Sequence, residues 1–414
     1  MTDKRTIASS SVRERETFLS WLLALALLTL PSTLPQASPE ARYQVPLKLG
    51  DGWSTAPADS VGVDSDRLAS MTAAIRAAPE LGVHAILIER DGSLIYEEYF
   101  DGFDERGGQP LGKVSMTMET RHDLRSVTKS VVSALVGIAR AEGAIAALDQ
   151  PLIAWFPEYP EADTPERRRV TLAHALSMTS GFEWNEDVTY TDPRNDETRM
   201  NRNPQPLRFA LTRPFAGDPG RAFKYNGGLA QAMAAVVQRA TKTPFQEYAR
   251  AKLFEPLGIT DVEWIGTLAD MPSAAAGLRL RPRDLAKFGS LYLHGGRWNG
   301  KQVIPGDWVE QSTRRHVRLP SPGTAADAVG EFGYGYFWWY ACNPTPAGPT
   351  EARFAVGNGE QRIIVSPGLN MVVTILAGRY NDPTAAGLPR RIMREHVIPA
   401  VKTDIRTGCP GAAL

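Results

Sequence analysis

An α+β fold is predicted for this 414-residue chain: an antiparallel sheet flanked by N- and C-terminal helices, with an inserted, mostly helical region. Three observations predict it. A hairpin pattern lies near the N-terminal end, a second lies near the C-terminal end, and the residues between them carry helical periodicity broken by Gly/Pro loops. On this reading residues 44–405 form one domain. Its sheet lobe comes from 60–125 and 290–400, and its helical lobe from 126–290.

At the start, Lys4, Arg5, Arg13 and Arg15 precede the apolar run Phe18–Leu30, followed by Pro31 and a small, polar stretch to Ser38. The run is short for a bilayer span and has the layout of a secretory signal, so residues 1–38 are set apart as a signal peptide or short anchor. The small-residue cleavage pattern is imperfect, and an uncleaved anchor fits as well. The protein is therefore expected to be exported, to the periplasm or beyond.

Asp64 followed by Ser65–Ile75 predicts a capped amphipathic helix. Val83–Arg90, Asp91-Gly92 and Ser93–Tyr99 predict a hairpin whose two-residue turn demands positive φ. Leu229–Gln238 and Asp284–Tyr292 are helical by pattern. Gln361–Val365, the turn Pro367–Asn370 and Met371–Leu376 predict the second hairpin, and Arg390–Val397 a closing helix. The aromatic run Tyr334–Tyr340 reads as a strand with one aromatic face in the core, or as the wall of an apolar pocket.

Composition narrows the function. Lys+Arg and Asp+Glu balance at 46 each, which leaves no electrostatic footprint for nucleic acid or an anionic membrane surface. A small-molecule partner is expected, with no membrane contact beyond the N-terminal segment; the oligomeric state is not readable. Two cysteines, Cys342 and Cys409, show no Cys/His spacing for zinc, and no metal or other cofactor is implied. In an oxidising compartment they are a candidate disulfide.

The chemistry is concentrated at Ser126-Val-Thr-Lys129, at the head of the apolar run Val131–Ile138. In a helix, residues three apart share a face, so the hydroxyl and the amine come within reach. Burial beside the apolar run is expected to make the amine neutral enough to accept a proton. The helix start also offers unpaired N–H groups to a developing oxyanion. Such a spacing arises by chance about once in a chain of this length, so the surroundings must decide.

They do so as an ordered set: His122–Ser130, Val170–Gly181, Phe223-Lys-Tyr225-Asn226-Gly227, Phe254–Gly258 and Gly357-Asn358-Gly359-Glu360-Gln361. With these segments the chain resembles, from about Gly52 to Val397, the serine β-lactamase and penicillin-recognising hydrolases. The likeness is to the class C-like branch that includes esterases, D-aminopeptidases and 6-aminohexanoate-dimer hydrolase. It implies that Ser126 is acylated, that Lys129 and Tyr225 move protons, and that a strand edge at Gly357, Asn358 and Gly359 supplies the second oxyanion N–H. Lys129 is expected to lower the Tyr225 pKa by its charge. Which of the two takes the serine proton first stays open.

Two departures matter. The second motif is usually Tyr-x-Asn or Tyr-x-Ser, whereas here Asn226 follows Tyr225 directly and Gly227 holds the third place. The third motif usually carries Lys or His, and Gly357-Asn358-Gly359 has neither. Asn226, Gly357, Asn358 and Gly359 are the candidate substrate-binding residues. Without the usual cation, the expectation shifts from a β-lactamase or D-Ala-D-Ala-type peptidase to a serine hydrolase acting on a small ester or amide. Arg353 and Arg362 are nearby cations that could substitute, or else solvated strand-edge charges. Arg279, Arg281, Arg283 and Asp284 read as an ion-pair cluster at a helix entry, and His174 as a structural residue. A non-catalytic protein of the same fold, binding cell-wall peptide or a partner, is the remaining alternative.

Overall fold

The computed structural model describes residues 42–267, 269, 271–321, 330–345, 348–402 and 408–409. The signal or anchor segment 1–38 lies outside them. No described helix is long and apolar enough to cross a membrane.

A nine-stranded sheet runs through the described residues in the order Ser54–Thr55, Ser93–Tyr99, Val83–Arg90, Met371–Ala377, Gln361–Ser366, Gly348–Gly357, Trp339–Thr345, Glu331–Tyr334, Val317–Leu319. All neighbours are antiparallel except the first pair. Met371–Ala377 pairs with Val83–Arg90, so the two ends of the chain meet at the sheet centre. The first hairpin closes through Asp91 and Gly92 at φ 50° and 78°, as the Asp-Gly pair requires.

Alternation along the strands divides the core. Ile86, Ile88, Val373 and Ile375 face the helix Ser65–Arg76 and the C-terminal helical turns from Leu388 to Ala400. Ala85, Leu87, Ile363, Val365, Val372 and Leu376 face the inserted region. The capping of Ser65–Arg76 is as expected, with the Asp64 carboxylate accepting from Asp66 N (3.0 Å) and Arg67 N (3.1 Å).

The inserted region centres on the helix Val127–Ala141, buried on all sides by Val131, Val132, Leu135, Val136 and Ile138 together with their neighbours. That all-round burial is what a helix apolar on most of its faces produces. The helix packs on Gly227–Thr241, whose first turn is capped by Asn226. The region is less purely helical than the pattern predicts. A three-stranded sheet of His122–Asp123, Leu278–Leu280 and Glu263–Trp264 leads into Ser126. The aromatic run is also not one strand: it turns at Gly335–Trp338, with Phe337 at φ 60°, and joins the strands ending at Tyr334 and starting at Trp339. Cys342 and Cys409 are joined in a disulfide.

The arginine cluster pairs outward rather than internally. Arg279 meets Asp123, Arg281 meets Asp261 and Glu119, and Arg283 meets Asp51 and Glu97, while Asp284 holds Lys287. His174 closes a capping box with Thr171, which makes it structural.

Candidate active site

Ser126 stands at the N-terminal end of Val127–Ala141, immediately after Arg125, which is held at φ 49°. A non-glycine residue at positive φ is costly and needs external support. Arg125 has it from Glu105 (2.7 Å), Asp123 (3.2 Å) and the ring of Tyr380 (4.5 Å to its centroid). The bend turns the chain from the strand His122–Asp123 into the helix and leaves Ser126 8% exposed.

One helical turn on, Lys129 is 1% exposed and its ammonium has three acceptors. They are Ser126 Oγ at 2.9 Å, Ala275 O at 3.0 Å and Glu197 Oε2 at 3.1 Å. The Lys129 nitrogen also lies 4.8 Å from the centre of the Tyr225 ring, and Tyr225 is in hydrogen-bonding relation with Ser126. Ser126, Lys129 and Tyr225 are thus brought together as the sequence suggests.

Glu197 was not foreseen. It sits on the short helix Asp196–Asn201, fully buried, and faces the carboxyl of Glu186. Glu186 in turn accepts from the Trp184 indole, Gly227 N and the Tyr190 hydroxyl. The unusual glycine of the second motif explains the arrangement, because a Cβ at Gly227 would overlap the Glu197 carboxylate. Glu197 occupies the space that a longer residue at 227 would need, and its carboxylate meets Lys129 there. Only this departure at Gly227 hinted at such a partner, without naming it.

The electrostatics reverse two expectations. Burial alone would lower the Lys129 pKa, but Glu197, Tyr225 and Glu186 outweigh it and hold the ammonium above its ordinary value. Lys129 is a cation at rest, not a neutral amine. Burial raises the Tyr225 pKa by more than Lys129 lowers it, so its phenol is the resting form. Burial also raises Glu197, and Glu186 adds to this against the pull of Lys129.

Asn226 serves as a helix cap. Its side chain accepts from Leu229 N at 3.2 Å and is 1% exposed. Gly357 ends the strand Gly348–Gly357, and a Cβ there would overlap the carbonyl oxygen of Leu124, two residues before Ser126. The third-motif strand therefore lies against the segment that leads into Ser126. Asn358 Oδ1 accepts from Asn381 N (3.1 Å), and Asn381 Oδ1 from Tyr190 N (3.1 Å), which ties the third motif to the loop carrying Glu186. Gly359, at φ 89°, packs on Tyr380. Gly357→Ala is expected to cost about 1–3 kcal/mol by overpacking and to lower kcat/KM at least about tenfold by displacing Leu124, as urea unfolding and turnover of one ester will show.

Arg353 is paired with Glu351 at 2.6 Å. Arg362, its side chain 17% exposed, pairs with Glu360 at 3.2 Å, donates to Gln361 O at 2.9 Å and lies within electrostatic reach of Tyr225. An aromatic wall adjoins Tyr225, with Trp339 stacked at 6.1 Å, Tyr334 at 6.4 Å, and Phe223 on the other edge of Trp339 at 5.9 Å.

A buried serine–lysine pair at a helix start, with a tyrosine over the lysine and a glycine-edged strand alongside, is set on a central antiparallel sheet of the penicillin-recognising type of fold. The chain belongs to the Beta-lactamase family, whose model matches residues 71–397. It is similar to the 6-aminohexanoate-dimer hydrolase of Paenarthrobacter ureafaciens, 26% identical over 72% of this chain and 73% of that one. It is also similar to esterase EstB of Burkholderia gladioli, 29% identical over 46% of this chain; that match spans about half of EstB, 49% of its length. Among solved structures, EstCE1, a hydrolase with promiscuous acyltransferase activity, superposes with a TM-score of 0.63 at 17% identity, covering 82% of this chain and 99% of that one.

Proposed function

We propose that the protein is an exported serine hydrolase that forms an acyl-enzyme on Ser126 and cleaves a small ester or amide. The observation that carries this reading is the position of Lys129 Nζ, hydrogen-bonded to Ser126 Oγ on one side and Glu197 Oε2 on the other. A lysine cation cannot take a proton unless it gives one away, and Glu197 is where it can be put. Ser126 Oγ then bonds to the substrate carbonyl carbon as its proton passes to Lys129 and one from Lys129 passes to Glu197. The oxyanion is met by N–H groups of the helix start and of the Gly357–Gly359 edge. The leaving alkoxide or amine departs with a proton from Tyr225, and water repeats the sequence in reverse to release the acid.

Two relatives named esterase and dimer hydrolase support the ester or amide class. The aromatic wall of Trp339, Tyr334 and Phe223 suits an uncharged apolar group. The disulfide Cys342–Cys409 supports export to an oxidising compartment. The test is turnover by the purified protein. We expect kcat/KM for p-nitrophenyl butyrate to exceed that for nitrocefin by at least about tenfold, roughly 1.4 kcal/mol in transition-state binding. Asn358→Lys should narrow the gap, whereas Gly357 has no room for a side chain. Preference for nitrocefin would identify Arg362 as a carboxylate grip and replace the esterase reading by the β-lactamase or D-Ala-D-Ala-type peptidase one.

A further inference from the structure

His84, Asp104 and His122 converge on one buried point outside the Ser126 site. They come from three separate strands: Val83–Arg90 of the large sheet, Gly102–Arg106 of a hairpin, and His122–Asp123, which leads into the nucleophile. All three are at most 3% exposed. His84 Nδ1 lies 2.8 Å from His122 Nε2, and Asp104 Oδ1 lies 3.4 Å from His122 Nε2 and 4.0 Å from His84 Nδ1. A tetrahedral zinc ion with bonds of about 2.0–2.1 Å sets its ligand atoms about 3.3–3.4 Å apart, and the three separations bracket that value.

The proton inventory points the same way. His122 Nδ1 is 3.0 Å from Asp123 O, an acceptor, so that nitrogen carries the hydrogen and Nε2 presents a lone pair to the cluster. A backbone carbonyl holding the far nitrogen in this manner is the usual support of a metal-binding histidine. Asp104 Oδ1 accepts from the Tyr380 hydroxyl at 2.8 Å, so that side supplies one hydrogen bond and no positive charge. Asp104 Oδ2 is buried with no hydrogen-bond partner. A neutral pair of histidines thus leaves a buried carboxylate oxygen facing a nitrogen lone pair, an arrangement that a cation between them would resolve. The imidazole of His84 is also tightly placed: a Cβ on either Gly102 or Gly378 would overlap it.

We propose that His84, Asp104 and His122 bind one divalent transition-metal ion, with zinc the choice that two imidazoles and one carboxylate favour. The ion ties the large sheet and the hairpin to the strand that ends three residues before Ser126. Its role is structural, because the ligands are buried and belong to a cluster separate from Lys129, Glu197 and Tyr225. No Cys/His spacing announces the set, since the three residues lie on different strands.

The experiment uses the whole purified protein, stripped with a chelator and titrated with Co²⁺. The expected result is the visible absorption of four-coordinate cobalt, saturating at one ion per chain and bleached by equimolar Zn²⁺. Zn²⁺ at about a hundredfold its Kd should raise Tm by at least about 3 °C. Asp104→Asn keeps an acceptor for Tyr380 but removes a ligand charge, and should weaken Co²⁺ binding at least about tenfold with Tm no longer responding to zinc. A wild-type protein with no cobalt band and no zinc-dependent Tm overturns the proposal and leaves a hydrogen-bonded His–His–Asp network. So does a band that is equally strong in Asp104→Asn and in His84→Ala. Should a variant fail to fold, the wild-type stoichiometry decides alone.

Discussion

Ser126→Ala is expected to lower kcat/KM by at least about 10⁴-fold and to abolish labelling by a phosphonylating probe. Covalent catalysis fails completely without its nucleophile, so what survives is only the rate that binding and oxyanion stabilisation provide. The fold should survive, because Ser126 makes no side-chain cap bond to its helix and its hydroxyl is one of three acceptors around Lys129. Intact-mass spectrometry of the wild type should show one adduct, absent from the variant. An adduct that persists in Ser126→Ala places the nucleophile elsewhere. A wild type that takes up no label and turns over no ester revives the non-catalytic binding protein.

The second large effect is expected at the proton relay. Lys129→Ala and Tyr225→Phe should each lower kcat by about 10²-fold or more, with the double variant losing much less than the product, as groups acting as one unit do. Glu197→Gln should keep a hydrogen bond to Lys129 but accept no proton, and so should lower kcat with little change in KM.

The pH profile has a definite sign. In the proposed relay Glu197 must be ionised to accept a proton, and its pKa is raised by burial, so kcat/KM should fall as pH drops through a value above the ordinary carboxylate range. That acid limb should disappear in Glu197→Gln; an unchanged limb assigns it to another group. Glu197→Ala differs, because it removes the ion-pair partner of the buried Lys129 ammonium and should destabilise the fold by about 3–5 kcal/mol in urea unfolding. Removing Lys129 as well should recover part of that loss.

Much of the architecture was legible because it depends on neighbours in sequence. Strand alternation, the Asp91-Gly92 turn and the Asp64 cap are local, and each appears where the pattern places it. The expectation of a single aromatic strand from Tyr334 to Tyr340 failed for a local reason too. Phe337 adopts positive φ, which no composition rule assigns to a phenylalanine, and the run folds back on itself there.

The site divides along the same line. The sequence by itself determined that Ser126 and Lys129 meet, since three residues of helix bring their side chains together whatever surrounds them. It pointed to Tyr225 only through the order of motifs. Tertiary structure alone decided the charge of each group. Glu197 reaches Lys129 across a sequence separation of 68 residues, and the space it fills exists because Gly227 has no side chain. A pKa is set by burial and by the charges packed around a group, so the same Ser-x-x-Lys spacing is compatible with a neutral or a cationic lysine, and only the folded chain selects the cation. His84, Asp104 and His122 were hidden for the same reason: their donor atoms meet only when three strands from different parts of the chain are packed together.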